Sequence, residues 1–232
     1  MGTPGKAKTS CTACGCTIAF VVSLCTFLYI VIFTNSCARM FGTETYPLKS
    51  ANRFDPFVGI EEVRQRVGKE ARLVSVEASY VRSDGTMDLT ATYKPAPNVT
   101  YVFVTPLDKA PDNAPPIGAG RKPGDVWIQE VRVSCYQPGQ FRSVMRMSVG
   151  STTKYQYHNE GMDLSRGTAT MGTLVPDIGP PKVSTAELWK MAAEKGAPKD
   201  AVARITFDKN GYELSITGLP NRVELGSDGK LR

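Results

Sequence analysis

The chain has 232 residues, with 28 Lys and Arg against 22 Asp and Glu, one His, six Cys and 41% hydrophobic content. That length fits one large domain or two small ones, and the composition excludes wholesale disorder, collagen and a dense disulfide scaffold. A single histidine also excludes two-His metal sites and two-His acid/base pairs.

The first segment with a clear physical reading is apolar. No charged residue lies between Lys8 and Arg39, and residues 18–33 read IAFVVSLCTFLYIVIF. As a helix this core spans about 24 Å, and Thr17, Thr34 and Asn35 extend it toward bilayer thickness. A helix satisfies its own backbone groups, so such a run can cross lipid. It is longer and bulkier than the apolar region of a cleaved signal peptide. The expectation is therefore a transmembrane anchor at 17–36, with a short cytoplasmic tail at 1–16. Lys6 and Lys8 precede the helix while Arg39 and Lys49 follow it, a slight lean toward an inside N-terminus. The alternative is a lipoprotein-like exported module acylated at Cys37, where Ser36 is a suitable preceding residue but Asn35 and Thr34 depart from the lipoprotein pattern.

Cys11, Cys14 and Cys16 form a C-x-x-C-x-C cluster ahead of that run. Zinc wants four ligands, and the nearest fourth thiol, Cys25, lies inside the apolar stretch. Acylation of thiols beside the membrane is a comparable reading, and reduced thiols without a special role the plainest one. Beyond the anchor, Cys37 and Cys135 either pair or leave Cys135 buried as a small hydrophobe.

Residues 37–55 read as a stalk, followed by a first α+β lobe over 56–160. Asp55-Pro56 with Ile60, Val63 and Val67 predicts a helix over 56–67. Alternation predicts strands over 74–80 and 87–93 around the Asp84-Gly85 turn, then a strand over 99–105. Five prolines in 106–125 make a Pro-rich flap. Further strands are expected over 125–135 and 141–149, with a weaker one over 153–158. A turn-rich linker at 161–183 leads to a second lobe at 184–232. There Ser184 and Glu187 predict a capping box, Leu188, Met191 and Ala192 an inward helix face, and Asn210-Gly211 a hairpin between 202–207 and 212–217. The fold class is α+β: a transmembrane helix, then a mainly antiparallel β body with two short helices in two helix–strand–strand units. This order resembles small α+β modules such as PepSY-type propeptide domains, which also occur on membrane-anchored exported proteins. That family's distinctive motif is absent, so the resemblance implies shape rather than activity.

Motifs for catalysis are scarce. The chain contains no G-x-S-x-G, H-E-x-x-H, Walker loop or Rossmann fingerprint. Gly118 and Gly120 lie in a Pro-rich stretch that opens no helix, which disfavours a phosphate cradle. His158 with Glu160 is the one candidate base, and a structural histidine is the stronger reading. The carboxylates Glu61, Glu62, Asp84 and Asp88 carry no testable pair geometry. Arg132, Arg142 and Arg146, on adjacent predicted strands, form a possible anionic contact patch that Glu130 partly neutralises. Asn98-Val99-Thr100 matches a glycosylation acceptor. The expectation is a non-enzymatic, single-pass membrane protein whose exported body binds a protein partner or a second copy, without a cofactor, a metal or nucleic acid.

Overall fold

The computed structural model describes residues 43–112, 122–139, 141–142, 156–157, 160–220 and 222–232. The expected anchor at 17–36, Cys11, Cys14, Cys16, Cys25, Cys37, Arg146 and His158 lie outside them. Among the described residues, no helix is long and apolar enough to cross a membrane.

The body is mainly antiparallel β-sheet with two helices, an α+β fold. Its first element is strand β1, Thr43–Pro47, within what the sequence suggested was a stalk. β1 pairs with β7, Gly161–Arg166, so this stretch belongs to the sheet. A turn then leads into helix α1, Gly59–Val67. Asp55 Oδ1 accepts from the backbone N–H groups of Phe57 and Val58 at 2.9 and 3.2 Å. It therefore caps the lead-in turn, and the helix begins three residues later than the Asp-Pro signal suggests. Ile60, Val63 and Val67 recur at helical spacing and are buried.

Three long strands follow α1, each with a stretch of alternating burial, β2 (Arg72–Val81), β3 (Val99–Leu107) and β4 (Val126–Cys135), whereas the shorter β7 buries its first four residues. β5 (Phe141–Arg142) and β6 (Gln156–Tyr157) form a separate two-stranded ladder. β8, Thr170–Gly172, pairs with β4 beyond β7, so 161–172 lines one β4 edge as an interrupted strand. The expected linker is thus partly sheet. Helix α2, Thr185–Glu194, opens on the capping box of Ser184 and Glu187. It buries Thr185, Leu188, Trp189 and Ala192. The hairpin of β9 (Ala203–Asp208) and β10 (Gly211–Ile216) forms at Asn210-Gly211, and β11 (Arg222–Leu225) adds the last strand.

Among the described residues these strands make one nine-stranded sheet in the order β1-β7-β4-β3-β2-β9-β10-β11, with β8 beside β4. The junction between the expected lobes is the β2–β9 ladder, where Ser75, Val76, Glu77 and Ala78 oppose Asp208, Phe207, Thr206 and Ile205. Both helix-led units consequently share a sheet and a core. Leu73, Val76, Tyr101, Phe103, Val131, Val133 and Leu164 join Ile205, Phe207, Leu214 and Leu225 in one buried cluster with both helices. Each large apolar side chain so buried contributes about 1.5–3 kcal/mol.

The expected strand over 87–93 does not form. Both edges of β2 are occupied, by β3 and β9, so the chain leaving the Asp84-Gly85 turn has no edge to pair with. Met87 instead bridges Phe54, and Tyr93 stacks on Tyr80 with ring centroids 4.6 Å apart. The Gly85 turn docks against α2, where the Thr185 hydroxyl donates to the Gly85 carbonyl at 2.8 Å.

Candidate functional site

The period of two that turns Val131, Val133, Ile205 and Leu214 toward the helices turns their neighbours the other way. Register then fixes a polar row across the open face: Thr45, Asp163, Ser134, Thr100, Glu77, Thr206, Glu213 and Glu224. Three ion pairs brace its β2–β11 half. Arg204 lies 2.9 Å from Glu77, and Arg222 reaches Glu213 at 3.0 Å and Glu224 at 2.6 Å. All five side chains are more than 40% exposed, so these pairs contribute little to stability and leave the charges available to a partner.

At the β9–β11 end the face dips into a recess of about 250 Å³ lined by Thr206, Asp208, Glu213, Arg222, Glu224 and Arg232 among others. Two guanidinium groups among three carboxylates do not suit a phosphate, and the mixture suits donors and acceptors on another polar surface. Among the described residues, no group of three or more His, Cys, Asp or Glu could hold a metal ion. At the β1 side of the row, Asp163 is only 7% exposed, and the Tyr136 hydroxyl donates to it at 2.6 Å.

The shifted carboxylates lie elsewhere, each at a turn, cap or strap. Burial alone would raise Asp177, but the Arg64 guanidinium and the N–H groups of Gly179 and Leu73 outweigh it and hold the carboxyl below its ordinary value. Asp84 is likewise lowered, its burial overcome by hydrogen bonds from Thr86 and by Arg82 and Arg53. Asp88 is lowered first by the Thr90 hydroxyl, and Glu187 by the Ser184 N–H in the capping box. Burial pushes the Tyr101 phenol well above its usual range, while its hydroxyl donates to the Pro56 carbonyl at 2.8 Å.

Of the sequence-derived candidates, Arg132 lies on the outer face of β4, exposed and 3.1 Å from Glu130. Arg142 has its backbone in β5, and Arg146 lies outside the described residues. Cys135 is buried on the inner face at the end of β4. Glu160 is half-buried, and its backbone carbonyl accepts from the Leu48 N–H at 2.8 Å. Asn98 directly precedes β3, with its backbone held by Ser79. The row through Glu77, Thr206, Glu213 and Glu224 was missed as a site. The alternation of β9 and β10 exposes its members, but only the β2–β9 pairing aligns them. No protein-family model, curated protein or solved structure matches this chain.

Proposed function

We propose that this chain is a single-pass membrane protein whose exported α+β body binds a protein partner as a non-enzymatic accessory subunit of a membrane complex. The anchor rests on the charge-free run at 18–33. The binding role rests on one observation: an extended polar sheet face whose charged side chains over β2–β11 are aligned by register and exposed. A rigid sheet presents such groups without ordering them anew, which favours specific recognition. The test is purification of the full chain in mild detergent, with intact mass and companions measured together. A stoichiometric companion that is retained by Lys190→Glu on α2 and lost in Arg204→Glu with Glu213→Arg supports this reading. A chain that remains alone, or a companion indifferent to the sheet-face pair, overturns it. A mature N-terminus at an acylated Cys37 selects the lipoprotein reading instead.

A further inference from the structure

We propose that the open face of the sheet pairs with the same face of a second copy of this chain, about a two-fold axis along β3, an inference that rests on the reading of this face as a binding surface and carries it from β2–β11 to the centre of the sheet. On the three central strands Leu73, Phe103 and Val131 point inward and are fully buried. Alternation turns Val102 and Val104 outward on the middle strand, β3, and both are half-buried. Register sets Arg132 and Glu130 beside them on β4, and Ser75 and Arg72 beside them on β2. Glu77 is the next outward residue of β2, opposite Thr100. An apolar seam therefore lies between two charged flanks, the centre-and-rim composition of a protein–protein contact.

The two flanks complement each other. On the row of Val104, β4 carries Glu130 and β2 carries Arg72; on the row of Val102, β4 carries Arg132 and β2 the neutral Ser75, with Glu77 one row further. A half-turn about β3 exchanges the flanks. Glu130 then faces Arg72 of the second copy, and Arg132 faces Ser75 beside Glu77. Val102 and Val104 meet their own counterparts on the axis, and every ionic contact occurs twice. Stacked sheets lie about 10 Å apart and turned by about 30°, which keeps the strands next to the axis within reach of each other. The side chains of Arg132, Glu130 and Glu77 are 56%, 54% and 48% exposed. The Arg132–Glu130 pair, 3.1 Å apart, contributes little to the fold at that exposure and exchanges readily for pairs between copies. Arg72 Nη1 donates to the Val175 carbonyl at 3.1 Å, which holds the guanidinium in place and lowers the cost of ordering it.

Native mass spectrometry of the full chain released from mild detergent counts the copies, and dilution gives the dimer Kd. The expected species is a dimer. Glu130→Arg alone, or Arg72→Glu alone, sets like charges together at both contacts and is expected to raise the Kd by at least about tenfold. Glu130→Arg combined with Arg72→Glu restores opposite charges in exchanged places and is expected to bring the Kd back toward the wild-type value. That recovery separates lost pairing from lost folding. Lys190→Glu on α2 is expected to change nothing. A wild-type chain that stays single, a dimer indifferent to the single substitutions, or one that the double variant does not recover overturns this pairing. A single copy bound to a foreign companion does so while leaving the accessory role standing. A dimer that follows the charge exchange without any foreign companion supports the pairing and overturns the accessory role.

Discussion

The two helix-led regions of the body, 56–93 and 184–217, each run from a helix through a buried strand to a glycine turn, and then diverge. After Gly211 the chain pairs back on β9, because the far edge of β9 is open to β10. After Gly85 it leaves the sheet, because β3 and β9 already hold both edges of β2. A local turn signal specifies a reversal of direction. Which edge receives the returning chain is decided by strands distant in sequence.

The largest expected effect tests whether the two regions share a core. Phe207 on β9 stacks on Tyr212 at 4.6 Å and meets Phe57 of the first region at 5.8 Å. Phe207→Ala should destabilise the body by about 3–5 kcal/mol. Urea unfolding should shift as one transition, seen alike by far-UV circular dichroism and Trp189 emission. A first region that melts separately would break the shared core.

Next come the two glycine turns, which ask the same question of different surroundings. Gly211 has φ +112°, and an added Cβ there would overlap the Leu225 carbonyl of β11. Gly85 has φ +81°, and an added Cβ would come within 2.7 Å of the Ala186 nitrogen on α2. Alanine at either position should cost about 1–3 kcal/mol in backbone strain alone. Gly85→Ala should also increase hydrogen exchange at the start of α2, which Gly211→Ala should leave unchanged.

A smaller effect belongs to the strap between β8 and α2. Asp177 receives Arg64 at 2.9 Å and the Leu73 N–H at 3.0 Å, tying 173–183 to α1 and β2. Its side chain is 36% exposed, so the charge interaction is discounted for water, and Asp177→Asn should cost about 1 kcal/mol. The folded-state carboxyl lies below its ordinary 3.8. Its stabilisation is therefore present above that pH and lost as pH falls through the lower folded value. Acid titration of thermal stability should show the wild type losing its advantage over Asp177→Asn below about pH 3.8. The smallest shift is expected on the outer face, where Arg222→Gln should move stability by no more than about 0.5 kcal/mol.

Much of the secondary structure was legible because its signals are local. Ser184 and Glu187 announced α2, Asn210-Gly211 its hairpin, and the alternation over 99–105 the strand β3. Thr43–Pro47 carries mixed polarity typical of a strand at the sheet's edge and so reads as a stalk. Gly161–Arg166 was hidden by its glycine and by an inward Met162 and Leu164 too few to set a period. The polar row was illegible for a further reason. Glu77 and Glu213 are 136 positions apart in sequence and come onto one row only through Thr206, which opposes both.

The measurement that bears most directly on the proposed role is protease protection of the full chain in sealed cells, followed by carbonate extraction. A single-pass anchor with an exported body predicts a carbonate-resistant chain, a body degraded by protease added outside, and residues 1–16 protected. A chain released by carbonate, or a body that protease reaches only after the cells are opened, would contradict it.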